Sequence, residues 1–182
     1  MVKRRAYKTA EIIALVGIMA ATLECAKLAL ASLPNVEAVT LLSAVYGYVF
    51  GPLGIAATLV FVAIEPLIWG FGTWVISYLI YWPLVATVFM LFGLLKMKNK
   101  ILIISVATVT AVVLTAFFGV LTSLVDIGLF SGSYNRFFYR FTIYYMRGVS
   151  FYLAQIITNA ILFPIVFLPL SISLGRLKKR MK

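Results

Sequence analysis

The 182-residue chain has no histidine, a single cysteine and only five acidic residues, among which Asp126 is the one aspartate. Without histidine, zinc, haem and Ser-His-Asp chemistry lose their usual ligands and bases. One cysteine excludes a disulfide within the chain, and Cys25 in an apolar helix reads as a packing residue. Charge is also scarce, at 12% of residues, against about 25% in soluble domains. Apolar residues make up 64% of the chain and mean hydropathy is +1.09. This is the composition of an integral membrane protein. At about 20 residues per crossing, the length suits five or six membrane helices in one domain over residues 1–182. That leaves no room for an attached ATPase. The basic start and the apolar run behind it resemble a signal peptide. The run lacks an A-x-A site and continues for a full span, so it reads as a retained first helix.

The net charge of +11 is a topology signal. Lys3, Arg4, Arg5 and Lys8 open the chain, and Arg176, Lys178, Lys179, Arg180 and Lys182 close it. Lys96, Lys98 and Lys100 share one short turn. Such clusters mark cytoplasmic segments. No basic face alternates with exposed aromatics, so nucleic acid is not an expected partner.

In chain order, the first helix runs from Thr9 to Ser32, with Thr9 as N-cap and Glu11 in the first turn. Ala10, Ala14, Gly17 and Ala21 place small side chains on one stripe, which lets another helix approach closely. Glu24 and Lys27, three residues apart, are positioned to pair. Pro34-Asn35 ends this helix, and a short second helix covers 36–50 before Gly51-Pro52 turns the chain. A third helix covers 55–69. A fourth, 73–95, carries Pro83 and should kink there. The fifth covers 101–130. The sixth, 149–174, has a polar stripe at Gln155, Thr158 and Asn159 and is loosened by Pro164 and Pro169. The expected fold is an all-α membrane protein with six transmembrane helices and both termini cytoplasmic.

The densest chemistry lies in 65–82, EPLIWGFGTWVISYLIYW. Glu65 beside Pro66, the Gly70/Gly72 break and the aromatics Trp69, Trp74, Tyr78, Tyr81 and Trp82 fit either an interfacial belt or a pocket for a flat ligand. A charge inside a membrane segment is expensive and usually functional. A second aromatic segment, 131–148, SGSYNRFFYRFTIYYMRG, falls outside by helix counting. There Arg136, Arg140 and Arg147 stand among Tyr134, Tyr139, Tyr144 and Tyr145, either touching lipid phosphate or forming a ligand-binding lid. With Asn35 and Glu37, the candidate ligand-binding residues are Asn35, Glu37, Glu65, Trp69, Trp74, Tyr78, Tyr134, Arg136, Tyr139, Arg140, Tyr144 and Arg147. All fall in the outer half. The inner half is apolar with basic anchors, a pattern of capture from outside more than of conduction.

Six helices, internal termini and a small-residue motif on the first helix resemble the substrate-binding S component of energy-coupling factor (ECF) vitamin transporters. LPNVEAVTLLSAVYGYVFG (33–51), GFGTWVISYLIYWP (70–83) and the Arg/Tyr-rich segment look most like the cobalamin-specific S components of lactic-acid bacteria. The resemblance implies a bacterial plasma-membrane protein that grips a vitamin, here cobalamin, by its outer loops and helix ends. It implies partners: a transmembrane T component, docked through Ala10/Ala14 or Gly17/Ala21, and two cytoplasmic ATPases that use ATP. The S component itself is then neither an enzyme nor a metal-site protein, and it topples in the membrane to release its cargo. Riboflavin, folate, pantothenate or a queuosine precursor are alternative cargoes. An autonomous small-metabolite carrier would need a polar path through the inner half. A membrane enzyme would need converging acid–base groups, and the acids here stand far apart in sequence. A purely structural membrane subunit would leave the outer charges unexplained.

Overall fold

A computed structural model describes residues 9–33, 36–130 and 136–181. Seven α-helices, α1 (Thr9–Ala29), α2 (Val39–Phe50), α3 (Pro52–Trp69), α4 (Trp74–Leu94), α5 (Lys100–Phe130), α6 (Phe137–Leu162) and α7 (Leu168–Arg180), make up the fold, with no strand among the described residues. A π-helical turn, Phe163–Phe167, joins α6 to α7 without a break. Five of the resulting rods are long and apolar enough to cross a membrane. Their exposed flanks carry large apolar residues such as Ile13, Leu59, Ile80, Val109 and Ile165, as expected of helices facing lipid. This is the architecture of a multi-pass membrane protein.

The expected second crossing differs. Helix α2 begins at Val39 and has 12 residues, about 18 Å at 1.5 Å per residue, well short of a hydrocarbon core of about 30 Å. It sits at the centre of the bundle, in contact with α1, α3, α4, α5, α6 and α7. Only α2 is so enclosed, because its small residues admit its neighbours. A Cβ on Gly47 would fall inside the Ala86 carbonyl of α4. At Gly51 the backbone takes φ 64°, a left-handed conformation that glycine adopts without a Cβ clash. The chain then reverses into α3 with Pro52 at its first position, where the missing N–H costs nothing. Gly47→Val is accordingly expected to push α2 and α4 apart and destabilise the protein by about 1–3 kcal/mol. Thermal unfolding in detergent would register this as a lower midpoint.

Pro83 lies within an uninterrupted α4. Thr87 Oγ1 donates to the Pro83 carbonyl at 2.7 Å. Around Pro164, where the sequence expects loosening, the helix widens into the π-helical turn, the missing N–H removing an i→i−4 bond.

The segment expected as an outer loop is helical from Phe137 onward. From Phe137 it contains no proline, and no glycine before Gly148. Phe137, Phe141 and Tyr145 stack at four-residue intervals, with centroids 6.3 and 5.8 Å apart. Tyr152 continues the stripe, 5.4 Å from Tyr145, and its hydroxyl meets Thr122 Oγ1 of α5 at 3.1 Å. The α6–α7 rod spans 44 residues, about 66 Å if straight, so it cannot lie wholly within a bilayer. Its N-terminal turns extend past the aromatic end of the bundle alongside the long α5. Lys96, Lys98, Lys100, Arg176, Lys178, Lys179 and Arg180 gather at the opposite, basic end.

Candidate functional site

At the aromatic end, α1 brings Lys27 against the C-terminal turn of α3 and the first turns of α4. The Lys27 ammonium pairs with Glu65 Oε2. It also stands over three rings, 5.2 Å from Trp69, 5.7 Å from Trp74 and 5.2 Å from Tyr78. Such distances are attractive cation–π contacts. The expected Glu24–Lys27 pair on α1 is therefore replaced by a pair between helices. Glu65 is fully buried, so an unpaired carboxylate there would be costly, and it takes the nearest cation. Glu24 lies against Glu65. Neither Glu24 oxygen has a hydrogen-bond partner, nor does Glu65 Oε1.

Two adjoining spaces share Lys27 and Tyr78 as a common wall. The outer cleft, about 340 Å³, is completed by Ala31, Trp69 and Trp74. The inner cavity, small at about 60 Å³, is lined by Lys27, Glu37, Val39, Thr40, Tyr78, Tyr81, Trp82, Phe118 and Gln155. Tyr78, Tyr81, Trp82 and Phe118 form one ring cluster in edge-on and tilted contacts, with centroids 4.6–6.3 Å apart.

A hydrogen-bond chain fixes the polar side of the cavity. Glu37 Oε2 accepts the Thr40 N–H at 2.8 Å and so caps the start of α2, as an acidic side chain does at orphan helix donors. Glu37 Oε1 accepts Asn159 Nδ2 of α6 at 3.0 Å. Asn159 Nδ2 also donates to Thr115 Oγ1 of α5 at 3.1 Å. At the rim, Thr73 Oγ1 donates to Asp126 Oδ1 at 2.6 Å, tying α4 to α5.

Three cavity groups have no hydrogen-bond partner: Thr40 Oγ1, the Tyr81 hydroxyl and Trp82 Nε1. The Tyr81 hydroxyl faces Thr40 and Thr115 without completing a bond to either. Buried polar groups are nearly always satisfied, and exceptions need an explanation. Aromatic faces with a few convergent unsatisfied polar atoms are what a small-molecule site presents. A hydrogen-bonding edge group reaching in from the outer cleft would satisfy them.

Of the residues expected from sequence, Glu37 and Tyr78 line the inner cavity, and Trp69, Trp74 and Tyr78 line the outer cleft. Glu65 lies behind them and holds Lys27 in place. Arg136, Tyr139, Arg140, Tyr144 and Arg147 line neither space; they ride on the first turns of α6, with the Arg147 guanidinium 5.9 Å from the Tyr144 ring. From Phe137 this segment continues as helix packed along α5. Asn35 and Tyr134 lie outside the described residues. Lys27, Thr40, Tyr81, Trp82, Phe118 and Gln155 are cavity residues absent from the sequence-derived site. The Gln155/Asn159 pair, four apart in an apolar helix, was the one signal on α6 that pointed inward.

On α1, Ala10, Ala14, Gly17 and Ala21 are all exposed, so the small stripe faces away from the bundle. Nothing lies within 4 Å of a Cβ added at Gly17. Beside it runs an apolar groove lined by Ile12, Ile13, Val16, Gly17 and Val60. Comparison of the chain with protein-family profiles, curated proteins and solved structures gives no match.

Proposed function

We propose that the protein captures a vitamin at its aromatic end as the S component of an ECF-type importer, in a bacterial plasma membrane with its basic end in the cytoplasm. The observation that carries this reading is the cavity with its unsatisfied Thr40, Tyr81 and Trp82 groups, roofed by the Trp69/Trp74/Tyr78 cleft. Three further features support it. The basic end lies opposite the cavity, which the positive-inside bias places in the cytoplasm. Toward that end Phe89, Phe163 and Phe167 pack ring to ring, with centroids 5.4–5.7 Å apart, and are fully buried. That apolar plug favours capture over conduction by an autonomous carrier. The exposed small stripe of α1 provides a surface for a T component, with ATP hydrolysis in two partner ATPases and no chemistry in this chain.

Cobalamin, implied by the resemblance, is rimmed by amides that suit the unsatisfied groups. Its size would leave much of it in and above the outer cleft. A compact ring system such as riboflavin would fill the outer cleft, whose volume is in the range that takes drug-sized ligands, and reach the smaller inner cavity with an edge group. Calorimetry on the purified protein in detergent, with cobalamin, riboflavin, folate, pantothenate and a queuosine precursor, tests both the function and the cargo. Nanomolar binding of one compound is the expected result, and no binding to any of them would sink the proposal. Trp74→Ala should then weaken that binding about tenfold, roughly 1.4 kcal/mol, through loss of a ring that stacks on the ligand. An unchanged Kd would return Trp74 to the interfacial belt.

A further inference from the structure

A second cleft, at the basic end, has the makings of an anion site. It lies between the end of α2 and α7, holds about 330 Å³ and is lined by Tyr48, Val49, Ser171, Gly175, Lys178 and Lys179. No acidic side chain lines it. Ser171, Gly175 and Lys178/Lys179 follow at helical spacing on one face of α7. The Lys178 ammonium donates to the Val49 carbonyl and stands 5.8 Å from the Phe50 ring, which fixes the α2 wall of the cleft. Lys179 is exposed at the rim.

Ser171 is the unusual member. It is only 5% exposed, yet its hydroxyl has no hydrogen-bond partner. Several helical hydroxyls in the chain donate to the carbonyl four residues back, as Ser123 does to Gly119 and Ser173 to Pro169. Ser171 leaves that bond unmade and lines the cleft. A buried O–H donor, a lysine at the rim and an unobstructed Gly175 together suit a phosphate group.

We propose that this cleft binds a phosphate, supplied by the headgroup of an anionic lipid. The location selects the source: α7 continues a membrane-crossing helix to its basic end, at the depth where basic pockets between helices meet headgroups. The exposed Ile172 and Leu177 on the same helix suit the acyl chains. The site is independent of the cargo cavity at the other end.

Native mass spectrometry of the full-length protein in mild detergent, titrated with phosphatidylglycerol or phosphatidylcholine, tests it. Phosphatidylglycerol adducts should exceed phosphatidylcholine adducts about tenfold. Ser171→Ala and Lys179→Gln should each lower them several-fold, while Arg180→Gln, a charge change outside the cleft, leaves them unaltered. Lys179 is exposed, so its replacement does not threaten folding. Millimolar inorganic phosphate should not displace the lipid. Equal retention of the two lipids, or retention unaffected by both cleft variants, would overturn the site. Displacement by inorganic phosphate would overturn the lipid as its source.

Discussion

Lys27→Met is expected to destabilise the folded protein by about 3 kcal/mol, and Lys27→Met/Glu65→Met to recover most of that loss. The Glu65 side chain is 0% exposed and its only ion-pair partner among the described residues is Lys27, itself 26% exposed. Glu24 lies against Glu65 and is buried as well. Removing the ammonium leaves two buried carboxylates facing each other without a cation. Stripping one partner from a buried pair costs about 3–5 kcal/mol, while replacing both with apolar residues is often neutral. Partial exposure of Lys27 places the effect at the lower end. The lost cation–π contacts with Trp69, Trp74 and Tyr78 add to it, although methionine keeps the apolar stem in place. Unfolding midpoints in detergent for the wild type, both single variants and the double variant form a complete cycle. If the double variant is as unstable as the sum of the singles, the pair contributes no coupling and the aromatic cage alone holds Lys27.

The same pair marks the limit of what the sequence conveys. Composition and apolar run lengths make a helical membrane protein legible, and Gly51-Pro52 and the KMKNK turn place helix ends to within a few residues. The aromatic cleft is legible because Glu65, Trp69, Trp74 and Tyr78 are neighbours in sequence. Partners separated by long stretches are not. Lys27 finds Glu65 across 38 residues, and Glu37 finds Asn159 across 122. A local rule such as i,i+3 pairing points Lys27 to Glu24 instead, because only packing reveals that Glu65 is the more deeply buried acid. The arginine segment shows the reverse error. Helix counting made 131–148 an outer loop, although from Phe137 it holds no breaker before Gly148 and repeats aromatics every four residues. Local periodicity was there the better guide. The brevity of α2 has a similar cause: an enclosed helix need not span a bilayer, and its enclosure is set by neighbours far along the chain.

Gly17→Trp should abolish cargo uptake by cells expressing the full transporter, by tenfold or more, while leaving the Kd of the isolated protein unchanged. Association of helices within a bilayer depends on close backbone approach, because lipid tails compete equally for apolar surface. Gly17 lies on the exposed stripe with Ala10, Ala14 and Ala21, and nothing within the chain occupies the space a Cβ would enter. A Cβ there meets no neighbour and the indole can extend into the open groove, so folding and the distant cavity are spared. It would hold a partner helix away from the stripe and from the apolar groove beside Val60. Ala14→Trp, one turn earlier, should act in the same way, whereas Leu59→Trp, exposed on α3, serves as a lipid-facing control with normal uptake. Parallel binding and uptake measurements separate the alternatives. Loss of binding in Gly17→Trp would show that the stripe supports the fold, and full uptake in both α1 variants would show that no partner helix docks there.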